Sequence, residues 1–282
     1  MQCYFVSDLH GKKELYEKLF QYILDSPPEI LFVGGDILSH GFLEGEKREK
    51  DFILGYLRDH LINLQNQRQD HYPKIYIILG NDDPRIHEKK LIDLDNEGLL
   101  FYSNQQVYNE QSYCIAGYSF VPPTPFGLKD WEKYDVSRYV DPGCSHPFEG
   151  MRTVNPDYDP EYSNIKMDLE HLEDNLDLQK TIVLFHSPPY NTALDRAALD
   201  GHTIEHVPLD VHVGSIAIER FIKEKQPLVT LHGHIHEASS LTGKWAEKIG
   251  HTYSFNASYD KDKLSLVMFD TENLEKAQRL LL

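Results

Sequence analysis

Short apolar runs recur along the chain, and most of them end at Gly, Asp, Asn or His. Such runs are typical of buried strands, because a strand covered on both faces loses the alternation of apolar and polar residues. Five strands of this kind are predicted at residues 3–8, 29–36, 74–82, 181–189 and 227–236. Three further strands are predicted at residues 113–121, 251–258 and 264–270.

Segments with helical spacing of apolar residues lie between these strands. They are predicted at residues 12–24, 46–68, 86–94, 164–177 and 212–225. In the last of them, Ile216, Ile218, Phe221 and Ile222 lie largely on one helical face. The alternation of strands and helices predicts an α/β fold with a sheet and helices packed outside it.

The stretch at about 121–163 is different, because it is rich in Pro, Tyr, Phe and Gly and has neither period. A loop of this length in a compact domain is usually functional, so we predict one domain over 1–282 with an irregular insertion or lid here. Phe126, Trp131 and Tyr134 can stack on a base or pack the insertion, and packing is favoured. Arg152 is a candidate for pairing with a phosphate.

The composition is that of a soluble globular protein, with 40% hydrophobic and 26% charged residues among 282. No apolar run is long enough to cross a bilayer, and the first residues lack the features of a signal peptide. Cys3, Cys114 and Cys144 have irregular spacing that fits neither a disulfide framework nor a zinc ribbon. We therefore expect a cytoplasmic protein without membrane contact.

The net charge is −17, and the chain has no long Lys/Arg cluster. A nucleic-acid backbone would be repelled, so extended nucleic-acid binding is not expected. A small phosphorylated molecule remains compatible with this charge if bound cations change the local field.

Potential metal ligands follow all five buried strands. Carboxyl ends of neighbouring strands meet at one rim of an α/β sheet, so these side chains are expected to converge. Imidazole, carboxylate and amide oxygen without thiolate suit first-row divalent ions rather than a structural zinc cage. In chain order the candidates are Asp8, His10, Asp36, Asn81, His186, His234 and His236.

Each candidate also has a simple structural interpretation. Asp36 can be a strand-end turn and His186 a core histidine, but five consecutive strand ends favour a site. A second Asp-x-His triplet, Asp210 to His212, follows a Pro-containing loop and leads into a predicted helix. A first-turn Asp is common there, so a structural role is favoured for this triplet. His232 is interpreted as packing or as an outer partner of the site.

The motifs "DLH", "GGD", "GND", "FHSPP" and "GHIH", in this order, resemble the calcineurin-like metallophosphoesterase superfamily. The family pattern is D-x-H, GD, GN-[H]-[DE], H and GHxH. The "GNDDP" block, with "VPPTPF" and "LHGHIH", is most similar to the small prokaryotic Icc-related branch. The resemblance implies a four-layer α-β-β-α sandwich, in which two mixed sheets are flanked by helices.

The resemblance also implies a dinuclear centre of two divalent ions, whether manganese, iron, zinc or nickel. Its implied ligands are Asp8, His10 and His236 for one ion, Asn81, His186 and His234 for the other, and Asp36 as the bridge. A hydroxide held between the ions would attack phosphorus. The implied substrate is a small phosphodiester, cyclic nucleotide or pyrophosphate compound, and the oligomeric state is left open.

The sequence departs from the family pattern at Asp82, where a His usually follows the Asn; Asp83 takes the place of its orienting carboxylate. Beside two dications an Asp stays ionised and cannot donate a proton, so the catalytic role of Asp82 is doubtful. Either the substrate has a good leaving group, or another residue donates the proton, or the protein only binds. Candidate donors are His40, His202, His206 and His212.

An exposed loop is the favoured interpretation for His202 and His206. The alternative function is a non-catalytic metal-binding or protein-interaction module on the same scaffold. Because all seven ligand positions are filled, the sequence favours an enzyme.

Overall fold

The computed structural model describes residues 1–39, 51–172 and 177–282. The strands within these residues are β1 (Gln2–Val6), β2 (Ile30–Gly34), β3 (Lys74–Ile78), β4 (Phe101–Tyr102), β5 (Val107–Glu110), β6 (Tyr113–Tyr118), β7 (Thr181–Phe185), β8 (Thr203–Ile204), β9 (Val207–Pro208), β10 (Val229–His232), β11 (Ala246–Ile249), β12 (Thr252–Asn256), β13 (Ser265–Asp270) and β14 (Gln278–Leu281). The α-helices are α1 (Lys13–Asp25), α2 (Arg58–Arg68), α3 (Glu88–Asn96), α4 (Ile165–Leu172), α5 (Ile216–Lys225) and α6 (Ala238–Thr242). A π-helical segment, Phe52–Leu57, leads into α2.

Two six-stranded mixed sheets form the body of the protein. Their strand orders are β14-β13-β1-β2-β3-β4 and β11-β12-β10-β7-β6-β5. In the first sheet β1 to β4 are parallel, and in the second β6, β7, β10 and β12 are parallel. Strands β8 and β9 pair separately as a short antiparallel ribbon. The carboxyl ends of the central strands of each sheet therefore lie at one edge of that sheet.

Alternate residues of the central strands form two hydrophobic layers. One set packs between the sheets and includes Cys3, Phe5, Ile30, Phe32, Ile182, Leu184, Val229 and Leu231. The other set faces helices and includes Val6, Val33, Val183 and Phe185 with Leu19, Ile23, Leu91, Leu94, Ala217 and Phe221. Complete burial of such a side chain contributes about 1.5–3 kcal/mol relative to exposure. Helix, sheet, sheet and helix thus form four layers, and the predicted fold class is confirmed.

The predicted strands are all present, but they end before the polar residues that follow the apolar runs. Asp8, Asp36 and Asn81 lie in loops beyond β1, β2 and β3, and not in the strands. The predicted helix 212–225 begins only at Ile216, where Ser215 accepts a hydrogen bond from the Ile218 N–H. Parts of two other predicted helices, 46–50 and 173–176, fall outside the described residues.

Between β6 and α4 the chain forms no helix and only isolated bridges. Trp131 and Tyr134 are fully buried, whereas Phe126 is 53% exposed. The Arg152 guanidinium donates hydrogen bonds to backbone carbonyls inside the insertion. The Trp131 indole N–H donates to the Asp83 carbonyl at 2.8 Å, which attaches the insertion to the loop after β3. Packing is therefore the role of the two buried aromatics.

Among the residues described, no helix has the length and apolarity that crossing a membrane requires.

Candidate metal centre

The loops after β1 and β2 run side by side and place the first three candidate ligands. The Asp8 N–H donates to the Gly35 carbonyl at 3.0 Å, and the His10 N–H donates to the Asp36 carbonyl at 2.8 Å. Asp8, His10 and Asp36 all have positive φ, at 57°, 44° and 51°. This backbone region is sparsely populated by non-glycine residues, and such residues concentrate at functional sites.

Asp83 joins the loop after β3 to the loop after β2. It is fully buried, and its carboxylate accepts hydrogen bonds from the N–H groups of Ile37, Leu38 and Gly80 at 2.8–3.1 Å. The Asp82 N–H also donates to Asp36 Oδ1 at 2.9 Å. These bonds fix Asn81 next to Asp36 without using the Asp83 side chain as a ligand.

Two groups of ligand atoms meet at this point, and they share Asp36. One group contains Asp8, His10, Asp36 and His236, and the other contains Asp36, His186 and His234. Within each group the ligand atoms lie within 4.8 Å of one another. The structure thus gathers the six predicted carboxylate and imidazole ligands around one carboxylate.

Distances within the two groups are short. His10 Nε2 lies 3.1 Å from His236 Nε2, and His236 Nε2 lies 3.2 Å from Asp8 Oδ1. In the second group His186 Nε2 lies 3.3 Å from Asp36 Oδ2 and 3.1 Å from Asn81 Oδ1. Asn81, the seventh predicted ligand, therefore faces the second group with its amide oxygen. His234 joins the sheets, because its N–H donates to both oxygens of Asp8 and its φ is 70°.

Neighbouring histidines favour the ionised form of two carboxylates, Asp8 in the first group and Asp36 in both groups. Burial opposes their charge, but neighbouring histidines outweigh burial and lower the pKa of Asp8 and of Asp36. Burial likewise opposes a proton on His186, yet the Asp36 carboxylate raises the pKa of His186 to about 10. For His236, Asp8 outweighs burial in the same way and raises the pKa to about 9.

These residues fit divalent cations. Two buried, ionised carboxylates require positive charge beside them, and a cation can supply it in place of the imidazole protons. Burial lowers the pKa of His234 to about 3, so this imidazole is neutral at physiological pH, as a metal ligand must be. Nitrogen and oxygen donors without thiolate match the predicted preference for first-row divalent ions.

Asp82 turns its carboxylate toward two of the candidate ligands. Asp82 Oδ1 accepts a hydrogen bond from Asn81 Nδ2 at 3.1 Å, and Asp82 Oδ2 lies 3.8 Å from His10 Nδ1. Since these are the atoms of Asn81 and His10 that point away from the ligand groups, Asp82 lies behind the ligands.

His232 is a packing residue and not a ligand. It is fully buried, its Nδ1 donates to the Ser187 carbonyl at 2.9 Å, and its Nε2 accepts from the Thr230 hydroxyl at 2.8 Å. Burial lowers the pKa of His232 to about 3. The ring stacks on Phe185 with an interplanar angle of 4°.

Among the other candidate proton donors, His202, His206 and His212 belong to neither ligand group. His202 and His206 are exposed, as favoured from the sequence. His212 Nδ1 lies 2.7 Å from the buried Asp195 carboxylate, and Asp210 accepts from the Tyr190 hydroxyl. The prediction that Asp210 begins a helix is wrong, because α5 begins only at Ile216. His40 lies outside the described residues.

A cavity of about 380 Å³ opens beside the first ligand group and contains residues that the sequence did not single out. Asp8, His10 and His236 line it together with Lys12, Tyr259, Lys261 and Lys263. The turn 257–264 follows β12, and β12 is the parallel neighbour of β10. The only sequence signal was the predicted strand at 251–258 followed by a lysine-containing turn.

Comparison with known proteins gives one relative of similar sequence and several of similar fold. An uncharacterized protein of Methanocaldococcus jannaschii, MJ1162, is 33% identical over 101 residues, which are 33% of this chain and 40% of that protein. The match therefore spans two fifths of the relative's length.

Two solved structures extend over nearly the whole fold. One has a TM-score of 0.62 at 18% identity, with 99% of this chain and 98% of that chain covered. The crystal structure of TT1561 of Thermus thermophilus has a TM-score of 0.58 at 16% identity, with the same coverage. At these identities the likeness establishes the fold alone.

The family model for calcineurin-like phosphoesterases, Metallophos, matches residues 1–238. This range includes every residue of the two ligand groups. The chain belongs to the calcineurin-like phosphoesterase family.

Proposed function

We propose that this protein is a divalent-metal-dependent phosphoester hydrolase with a dinuclear centre. Its substrate is a small phosphodiester, cyclic nucleotide or pyrophosphate compound. The observation that carries the proposal is the sharing of one buried carboxylate, Asp36, by two groups of ligand atoms that come from both sheets.

The division of ligands follows the two groups. Asp8, His10 and His236 would hold one ion, and His186, His234 and Asn81 the other, with Asp36 between them. A carboxylate shared by two cations would offset the repulsion between them. When bound, the ions supply Lewis-acid stabilisation of phosphoryl oxygens and a water of lowered pKa.

The protein itself keeps this site rigid. Backbone hydrogen bonds join the loops after β1 and β2, and the Asp83 carboxylate joins the loop after β3 to them by accepting from backbone N–H groups. The backbone N–H of His234 donates to Asp8 from the other sheet. Preorganised ligands of this kind do not need to rearrange during the reaction. Because Asp82 lies behind the ligands and is unsuited to proton donation, substrates with a good leaving group are favoured, such as activated diesters.

The test is hydrolysis of bis-p-nitrophenyl phosphate with Mn²⁺, Ni²⁺, Zn²⁺ or Fe²⁺. Wild type should turn over with at least one of these ions, and Asp36→Ala should lose the activity together with bound metal. Asp168→Ala is the matched control. Asp168 lies on the outer helix α4, and its partly buried carboxylate is paired with Lys133. Absence of metal-dependent turnover by wild type on any phosphoester would refute the proposal.

A further inference from the structure

The cavity beside the first ligand group is built where three strands end. β12 pairs with β10 in parallel register, with His232 opposite Asn256, so the turn after β12 lies beside the loop that carries His234 and His236. β13 runs antiparallel to β1, with Val267 opposite Phe5, so its first residue lies near the carboxyl end of β1. The turn 257–264 is therefore a wall of the same cavity that the ligands line.

Two lysine side chains of this wall are not neutralised by ion pairs. Lys261 and Lys263 form no ion pair with any residue in the described ranges, and both are exposed. Lys12, across the cavity, is paired with Asp262 at 2.8 Å. Asp260 also lines the cavity, and its carboxylate accepts a hydrogen bond from the Ser240 hydroxyl at 2.6 Å.

Lys261 and Lys263 lie on either side of Asp262 in the sequence, and both line the cavity. The ammonium group of lysine is a compact point charge that binds phosphate and carboxylate without a fixed geometry. An anion held here would lie in the same cavity as His10 and His236, and would therefore be part of the molecule whose phosphate reaches the metal centre.

We propose that the turn 257–264 forms a subsite for a second anionic group of the substrate, through Lys261 and Lys263. The inference rests on the proposed hydrolase and narrows its substrates to phosphoesters that carry a further phosphate or carboxylate beyond the scissile group. Substrates with a single phosphate have no group for the subsite and gain nothing from it.

The test is calorimetric binding of imidodiphosphate and of orthophosphate to the Mn²⁺-loaded protein. Imidodiphosphate carries two linked phosphoryl groups and resists hydrolysis, so binding is measured without turnover. The double variant Lys261→Ala/Lys263→Ala should bind imidodiphosphate about 5- to 30-fold more weakly, as expected for two partly screened charges. Its affinity for orthophosphate should change by less than about twofold.

The matched control is Lys244→Ala/Lys248→Ala, which removes the same charge from exposed lysines outside the cavity. This control should bind both anions as wild type does. Equal losses for the two anions, equal losses in the two double variants, or a wild type that does not prefer imidodiphosphate would overturn the subsite.

Hydrolysis of bis-p-nitrophenyl phosphate, measured in parallel, separates the two proposals. The Lys244→Ala/Lys248→Ala control, whose lysines lie outside the cavity, should retain the kcat/KM of wild type for this substrate. Turnover by wild type with no binding difference refutes the subsite alone. Absence of metal-dependent turnover on any phosphoester refutes the hydrolase, and the binding result then decides whether the lysines hold an anion.

Discussion

Replacement of Asp82 by alanine should weaken metal binding, although Asp82 is not a ligand. Its Oδ1 accepts the Asn81 Nδ2–H at 3.1 Å, which keeps the Asn81 amide oxygen directed at His186 Nε2. Its Oδ2 lies 3.8 Å from His10 Nδ1, on the far side of that ring from His236. Asp82→Ala therefore removes a side chain that contacts Asn81 and His10, one candidate ligand for each ion.

The size of the effect follows from the role of such outer partners. Loss of a group that orients a metal ligand typically lowers metal affinity about 10- to 100-fold, which is about 1.4–2.7 kcal/mol. Asp82→Asn should lose less than Asp82→Ala, because its amide oxygen can still accept from Asn81. The contact with His10 is longer than a hydrogen bond, so the lower end of the range is expected.

The assay is calorimetric titration of the metal-free protein with Mn²⁺, with circular dichroism to confirm folding of each variant. Asp93→Ala is the charge-matched control, because Asp93 is a partly exposed carboxylate on α3. An Mn²⁺ affinity of Asp82→Ala within about twofold of wild type would show that the carboxylate does not position the ligands. Asp82→His adds a second measurement, since a rise in monoester hydrolysis would identify the missing imidazole as the limit on rate.

Three further predictions concern folding and can be measured by urea unfolding. His232→Gln should cost about 1–3 kcal/mol without changing the metal stoichiometry, because both ring nitrogens are bonded inside the core; loss of metal would contradict this. Trp131→Phe leaves the Asp83 carbonyl without its indole donor and should cost a similar amount, and an unchanged midpoint would refute the anchoring role. Burial opposes the charge on Asp51, but Lys90 and two backbone N–H groups lower the pKa of Asp51. The stability advantage of wild type over Asp51→Asn should therefore be full near pH 7 and shrink as pH falls below about 4; a pH-independent difference would contradict it.

The strands of the fold could be predicted from the sequence because the apolar runs are clearly bounded. Every predicted strand was found, since residues buried on both faces leave a continuous apolar signature. The strand ends were placed too late, because Asp8 and Asp36 adopt positive φ, which no residue pattern announces. The start of α5 was missed because Ser215 was not recognised as its cap.

The candidate ligands were predictable for a related reason. All seven follow parallel strands, with β1, β2 and β3 in one sheet and β7 and β10 in the other. The rule that carboxyl ends share one edge predicts their convergence within each sheet, and the packing of the two sheets brings the two sets together. The direction of the Asp82 side chain was not predictable, because it depends on contacts with Asn81 and His10. The lysine turn was also missed, because its place beside the site depends on the pairing of β12 with β10, which joins distant parts of the chain.

Gly80 shows most directly that the turn after β3 and the metal centre are a single structure. A Cβ atom placed on Gly80 would lie 2.6 Å from the Asp36 nitrogen and 2.6 Å from His186 Cε1, closer than real contacts allow. Backbone on one side and a candidate ligand on the other leave no direction for relief. Overpacking of this kind costs about 1–3 kcal/mol, and here the displaced groups are the ligands themselves.

Gly80→Ala should therefore bind Mn²⁺ about tenfold more weakly or worse. A tenfold loss corresponds to about 1.4 kcal/mol of binding free energy. Gly127→Ala is the matched control, because a Cβ on Gly127 meets nothing within 4 Å and its φ is not positive. Calorimetric Mn²⁺ titration and thermal unfolding of both variants decide the matter. If Gly80→Ala lost only thermal stability and bound Mn²⁺ as tightly as Gly127→Ala does, the close approach of Gly80 would serve packing alone. The turn after β3 would then not influence metal binding, contrary to its close contact with Asp36.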